Sequence, residues 1–251
     1  VRAYVTITDG NTDLLPFFCR YYAEYGDVDE IFLCVFGTEE HRSVAHSHII
    51  NAGLRCVHGV LFPTESFLAR RRVEYYQEVH RRGQWAYFTD LDEFPSHEAF
   101  DAVLALRRRS KAGDAFVGGC WLDRVAIDGK CKAVDPNHSL DEQYPMACRV
   151  RRQLKQLDNA FIAAPFAQTS HHPSVCRLAR GRWSKMRKYD LHHFKWQENV
   201  YDRLENRKRR VRAVKPRHVQ ATHVNKALKY LAQFDGGVNT SKLVLAPRLG
   251  I

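Results

Sequence analysis

Over the first hundred residues the apolar positions switch repeatedly between strand-like runs and helical spacing. Arg2 to Thr8, with Tyr4, Val5 and Ile7, reads as a buried strand closed by Asp9-Gly10-Asn11. From Asp13 to Tyr25, the residues Leu14, Leu15, Phe17, Phe18, Tyr21, Tyr22 and Tyr25 recur at helical spacing, with Pro16 in the first turn and Gly26 just beyond. Ile31 to Phe36 reads as a second strand, Glu39 to Ala52 as a helix stopped by Gly53, and Leu54 to Val60 as a third strand. Phe67 to Arg82 reads as a helix closed by Gly83, and Trp85 to Thr89 as a short fourth strand running into Asp90. Repeated strand and helix predict an α/β fold, a mostly parallel sheet flanked by helices.

Past residue 100 the alternation loosens. Ser96 to Arg109 is expected as a helix with Phe100, Val103, Leu104 and Leu106 inward, and Ala115 to Val125 as a strand. Asp128 to Arg182 is loop-rich, broken by Pro136, Pro145, Pro165 and Pro173, and two later helices are expected at Glu198 to Arg210 and Gln220 to Phe234. No repeat or low-complexity linker interrupts the chain. The expectation is one domain over residues 1–251, with a ligand-binding half at 1–100, a catalytic half at 101–215 and a helical extension at 216–251.

Composition narrows the classes. The chain is 45% apolar and 12% aromatic, enough for a sizeable core and against disorder. No apolar run approaches the roughly 18 to 20 residues of a spanning helix; the best, Ala115 to Leu122, has strand length and two glycines. Net charge is +11, but residues 1–100 carry nine Arg, no Lys and fifteen acidic residues, a balance of −6, so the remainder carries +17. Between Arg177 and Arg217 fifteen basic residues face four acidic ones, a field suited to an anionic partner such as nucleic acid, acidic lipid or a phosphorylated small molecule. The seven cysteines are widely spaced with no Cys-x-x-Cys pair, which argues against a zinc ribbon or disulfide framework and for a reducing, cytoplasmic compartment. Val1 opens on a strand without a basic start and apolar signal core, so a targeting segment is either absent or trimmed away.

The most informative segment is Trp85-Ala86-Tyr87-Phe88-Thr89-Asp90-Leu91-Asp92-Glu93-Phe94-Pro95. Ligands of open parallel sheets bind outside the carboxyl ends of the strands, and this strand arrives there with three carboxylates in four residues. An extended chain puts Asp90 and Asp92 on one side, in reach of one divalent cation. Hard oxygen ligands suit Mg²⁺ or Mn²⁺, which complete their shells with water and phosphate oxygens. The plainer alternative is a solvated turn with Asp90 capping the following helix. No Gly-x-x-x-x-Gly-Lys loop and no Gly-x-Gly-x-x-Gly is present, which removes the usual supports of nucleotide hydrolysis and dinucleotide redox chemistry. In Leu191-His192-His193-Phe194-Lys195-Trp196 one imidazole can complete a metal shell while Lys195 pairs with a phosphate. Adjacent extended residues point oppositely, so only one of His192 and His193 reaches the ion.

The opening strand with Asn11, Asp90-Leu91-Asp92-Glu93-Phe94, Trp121-Leu122-Asp123-Arg124-Val125-Ala126, Ser139-Leu140-Asp141-Glu142-Gln143-Tyr144-Pro145 and His192-His193-Phe194-Lys195-Trp196 together resemble glycosyltransferase family 2 and related bacterial enzymes over roughly residues 1–210. The resemblance implies a GT-A type nucleotide-sugar-binding fold with a Rossmann-like sheet, a donor held across the sheet edge, and Mn²⁺ or Mg²⁺ under its diphosphate. It further implies Asp92 as direct metal ligand, Asp90 on the metal through water or on the donor ribose, and His193 as the late histidine of the shell. Thr8 and Asn11 would lie against the nucleoside, and Arg70 or Arg71 beside the diphosphate. The acidic residue that commonly binds the base in that family has no match here.

The expected function is therefore metal-dependent transfer of a sugar from a nucleotide-diphosphate donor, read as a UDP-sugar, to a hydroxyl acceptor with inversion. Asp123 and Glu142 are the two candidates for the base that takes the acceptor proton, and Arg124 is read as a neighbour able to neutralise Asp123. A glycan or lipid-linked acceptor is expected, with the basic run Arg203 to Arg212 suited to peripheral attachment at the inner face of an anionic membrane. The alternatives are a metal-dependent phosphohydrolase and a nucleic-acid-binding protein; the latter is disfavoured because the basic residues lack interleaved aromatics and any DNA-reading motif.

Overall fold

A computed structural model of the chain describes residues 1–8, 11–61, 86–109, 117–150, 160–162, 188–214 and 219–251. The helix expected at Phe67 to Arg82 lies outside these residues, as do Arg70 and Arg71. The chain forms two compact units, one of residues 1–121 and 159–191 and the other of residues 122–158 and 192–251.

The first unit is built on strands β1 (Arg2–Thr8), β2 (Glu30–Phe36), β3 (Arg55–Leu61) and β4 (Ala86–Asp90). They lie in the order β3-β2-β1-β4, and every neighbouring pair is parallel. Helix α1 (Leu15–Gly26) connects β1 to β2, and α2 (Glu39–Asn51) connects β2 to β3, the crossovers that parallel pairing requires. This is the α/β architecture expected, with a mostly parallel sheet flanked by helices.

The aromatic stripe of α1 explains its packing. Phe18 and Tyr22 stack with ring centroids 4.0 Å apart, and Tyr22 meets Tyr87 of β4 and Phe100 edge-on at 5.6 and 5.4 Å. Phe100 lies on α3 (His97–Arg109), where Phe100 and Val103 face inward as their spacing predicts. Gly26, expected just beyond α1, is instead its last residue, and Asp27 takes the left-handed turn with φ 54°. A Cβ at position 26 would stand 3.0 Å from Phe100 Cε1, so the glycine is there to let α3 approach. Gly53 does behave as a helix stop, at φ +77°.

β4 is followed by a two-residue turn and β5 (Glu93–Pro95). β6 (Val117–Val125) begins in the first unit, where it pairs antiparallel with β8 (Ala160–Ile162), and ends in the second, where it pairs antiparallel with β7 (Met146–Cys148). β9 (Lys188–His193) likewise crosses from the first unit to the second, between Leu191 and His192.

The second unit adds the short helix α4 (Leu140–Gln143), helices α5 (Val200–Val214) and α6 (Val219–Gln233), and the edge strand β10 (Val244–Leu245) on β7. Both long helices match the expected spans to within a few residues. Their apolar stripes, including Val200, Leu204, Val224, Leu228 and Leu231, close on Val125, Cys148, Val150 and Trp196 to make the core of this unit. Among the described residues no helix is long and apolar enough to cross a membrane. Among the described residues Cys19, Cys56, Cys131 and Cys148 are free thiols, and burial pushes Cys56 and Cys131 each up to about 11.

Candidate active site

In the first unit β1 leads to β2 and β3 on one side and has β4 on the other. The strand order therefore reverses between β1 and β4, the kind of place where open α/β sheets bind ligands. Asp90, the last residue of β4, is in register with Thr6 of β1, and the Leu91 amide donates to the Thr6 carbonyl at 3.3 Å. Thr8 ends β1, and Asn11, three residues further along the chain, is half-buried.

The three carboxylates of the segment do not share one environment. Glu93 is turned inward and buried, its Oε1 accepting from the Trp121 indole at 2.8 Å and its Oε2 from the Asp90 amide at 3.1 Å. The Tyr22 hydroxyl donates to the Glu93 carbonyl at 3.0 Å, tying the same turn to α1. Asp90 and Asp92 are half-buried. They are not on one side of an extended strand, as the alternation implied, because Leu91 and Asp92 form a turn that Glu93 braces from within. The capping alternative for Asp90 also fails, since α3 starts at His97 and the first amides of the helix turn to the Ser96 carbonyl.

Two carboxylates on a braced turn fit a hard divalent ion. Among the described residues no group of three or more His, Cys, Asp or Glu side chains is placed to hold a metal by itself.

The second unit holds two buried networks on either side of one strand pair. Asp123 is 1% exposed. Its Oδ1 lies 2.8 Å from His193 Nδ1 and accepts from Trp196 Nε1 at 2.8 Å, while Oδ2 accepts from the Val150 amide at 2.9 Å. Burial works against its charge, but the His193 hydrogen bond and charge, the Trp196 indole and the Val150 amide outweigh that, and the carboxyl sits below its ordinary range.

Arg124, next along β6, points the other way. It donates from Nε to the Tyr144 carbonyl at 2.9 Å, from Nη2 to Asp141 Oδ1 at 2.8 Å and from Nη1 to the Pro247 carbonyl at 3.1 Å. Its Nη1 also lies 3.0 Å from His192 Nδ1, and the guanidinium stands 5.2 Å from the Phe194 ring centroid. Arg124 thus answers Asp141 and not Asp123, which corrects its expected neutralising role. Asp141 in turn takes the amides of Leu249 and Gly250 on Oδ2, at 2.8 and 2.7 Å.

Glu142, the other candidate base, is exposed and forms a capping box with Ser139 at the start of α4, accepting the Ser139 amide at 3.2 Å. Lys195 is half-buried, with Nζ 5.7 Å from the Trp196 ring centroid. Asp141, Glu93 and Trp121 are residues whose roles the sequence reading misses, and Arg124 is one whose partner it mistakes. The alternation that separated His192 from His193 also separates Asp123 from Arg124 on β6, and applying it there would have exposed the second network.

No family model matches this chain. No curated protein matches it either. Among solved structures it aligns with 4-diphosphocytidyl-2C-methyl-D-erythritol synthase from Anaerococcus prevotii at 13% identity and TM-score 0.36, over 76% of this chain and 88% of that one. It aligns with S. aureus TarS at 10% identity and TM-score 0.39, over 96% of this chain but only 44% of TarS. A third alignment is with the galactosyltransferase LgtC, crystallised with donor and acceptor sugar analogues, at 12% identity and TM-score 0.28 over 75% and 67% of the two chains. At these identities and scores the alignments carry no functional argument.

Proposed function

We propose that the chain is a metal-dependent glycosyltransferase of the GT-A type, moving a sugar with inversion from a nucleotide-diphosphate donor, of the UDP-sugar class, to a hydroxyl acceptor. The observation that carries this reading is the position of Asp90 and Asp92 on a braced turn at the carboxyl end of β4, beside β1, where the strand order reverses. Mn²⁺ or Mg²⁺ held by Asp90 and Asp92 would offset the charge that grows on the departing diphosphate. Thr8 and Asn11, at the end of the adjacent strand, take the nucleoside side of the same edge. Arg70 and Arg71, outside the described residues, are proposed to flank the diphosphate, and Lys195 to pair with a phosphate oxygen.

Activation of the acceptor hydroxyl needs a base. The Trp196 indole and the Val150 amide donate to Asp123 and its carboxyl sits below its ordinary range, which makes it a weak base. The role is therefore proposed for the exposed Glu142, while Asp123 holds the His193 ring. A glycan or lipid-linked acceptor, and attraction of the basic half to an anionic membrane surface, belong to the same proposal.

The test is a melting experiment with UDP, Mn²⁺ and both together. A ligand present at 100 times its Kd stabilises by about 2.7 kcal/mol, so UDP plus Mn²⁺ is expected to raise the melting temperature by more than the sum of the two separate effects. Equal stabilisation by UDP with and without Mn²⁺ would remove the metal-dependent reading. Release of UMP from a UDP-sugar, in place of UDP, would mark a phosphohydrolase.

A further inference from the structure

We propose that residues 247–251 form a clasp that holds Glu142 in place, with Asp141 as the positioning residue through which the clasp acts. Its catalytic consequence rests on the proposed reading of Glu142 as the base.

Helix α4 (Leu140–Gln143) has four residues, far short of the roughly 12 to 15 at which an isolated helix becomes even marginal in water. Its shape must therefore come from its ties. Some of these are local. Ser139 and Glu142 cap each other, and the Gln143 side-chain amide donates to the Asp135 and His138 carbonyls at 2.8 and 2.7 Å. Asp141 carries the ties to distant chain. Its Oδ1 accepts from Arg124 at 2.8 Å, its Oδ2 accepts from the Leu249 and Gly250 amides at 2.8 and 2.7 Å, and its own amide donates to the Ile251 main-chain oxygen at 3.2 Å.

The sequence of the clasp suits that seat. Leu249 and Ile251 are buried, while Arg248 and Gly250 beside them are exposed. Gly250 stands at φ +77°, the left-handed region that a side chain would make costly. Arg124 joins clasp and helix a second time, donating from Nη1 to the Pro247 carbonyl at 3.1 Å and from Nε to the carbonyl of Tyr144, the residue that closes α4, at 2.9 Å. One buried guanidinium thus grips both ends of the helix and the clasp in its fixed fork. Sharing a carboxylate and a guanidinium couples the two segments. Loosening residues 247–251 strips two donors from Asp141, and unwinding α4 removes the acceptor that the Leu249 and Gly250 amides require.

Glu142 follows Asp141 in the same turn, and its Oε2 accepts the Ser139 amide at 3.2 Å, so its carboxylate goes where the turn goes. A general base must be held within hydrogen-bond reach of the proton it takes. A four-residue helix cut loose from its anchor does not hold it there.

The experiment is amide hydrogen exchange of the full chain, comparing wild type with Leu249→Ala in the clasp and Ser139→Ala at the helix cap. In Leu249→Ala the Gln143 and Tyr144 amides, which donate to the Ser139 and Leu140 carbonyls, are expected to exchange roughly tenfold faster. In Ser139→Ala the Leu249 and Gly250 amides should quicken by a similar factor, with β1 and β2 unchanged in both variants. Faster exchange confined to the altered segment would overturn the clasp. Gly250→Ala, which strains the exposed turn without emptying a buried position, takes the place of Leu249→Ala should that variant not fold. Transfer from a UDP-sugar reads the catalytic consequence: Leu249→Ala is expected to lower kcat severalfold at an unchanged donor KM. Glu142→Gln, which keeps a residue able to form the capping box, separates the two ways of failing. An inactive Glu142→Gln beside a fully active Leu249→Ala would overturn the hold of the clasp on the base and leave the base reading standing. A fully active Glu142→Gln would remove the base reading, and the exchange result would still decide whether residues 247–251 hold α4.

Discussion

Burying a carboxylate costs several kcal/mol unless the lone pairs it turns inward meet donors, and Glu93 and Asp123 both satisfy that condition. Glu93 faces the Trp121 indole and the Asp90 amide, so Glu93→Gln sets an NH₂ against one of two donors. The expected outcome is a folded protein whose UDP affinity in Mn²⁺ falls roughly tenfold, the equivalent of about 1.4 kcal/mol, because the turn bearing Asp90 and Asp92 loses its brace. Titration calorimetry checks this, and unchanged affinity would show that the turn holds its shape without Glu93. Asp123→Asn is expected to cost about 3 kcal/mol of stability at neutral pH, the scale of breaking a buried charged pair. The Asp123 carboxyl is depressed below 3.8 in the folded chain, so its contribution is fully present above that value and is lost as pH falls through the lower folded value. The stability gap between wild type and variant, read from urea melts, should therefore be open at pH 7 and close below pH 3.8. A gap that widens in acid would contradict the depressed carboxyl.

At the scale of elements, two glycines next to helix ends do different jobs. Gly26 lets Phe100 approach, with a Cβ predicted 3.0 Å from Phe100 Cε1 and 3.4 Å from Tyr87 Cε2, so Gly26→Ala should cost about 1 to 3 kcal/mol through overpacking. Gly53 has nothing within 4 Å of its Cβ but sits at φ +77°, so Gly53→Ala should cost about 1 kcal/mol through backbone strain alone. Thermal melts of the two variants distinguish the causes: repacking by Phe100→Leu should rescue Gly26→Ala and leave Gly53→Ala unaffected. Much of this architecture was readable from periodicity. β1 is placed at its observed bounds, and α3, α5 and α6 to within a few residues, because their apolar spacing is regular and long, while α2 is bounded by its glycine stop at Gly53. β7, β8 and β10 are not placed, since two or three residues carry no period. The site was legible in part for the same reason. Asp90-Leu91-Asp92 stood out as residue types, but which of the neighbouring carboxylates turns inward depends on Trp121 and Tyr22, far away in the chain. Asp123 looked like an open base because the donors that surround it come from residues 150, 193 and 196.

Across the whole molecule charge is distributed unevenly. The first hundred residues carry −6 and the rest +17, yet Asp90 and Asp92 belong to the acidic part. An anionic diphosphate approaching that turn meets two carboxylates, an arrangement that makes sense with a divalent cation between them and little sense without one. The direct measurement is the affinity of UDP for wild type and for Asp92→Ala, each titrated with and without Mn²⁺. The account predicts that Mn²⁺ strengthens UDP binding to the wild type at least tenfold, about 1.4 kcal/mol, and that Asp92→Ala keeps its fold by circular dichroism while losing that enhancement. Equal Mn²⁺ enhancement in the two proteins would contradict the placement of the ion on the β4 turn, and with it the transferase reading.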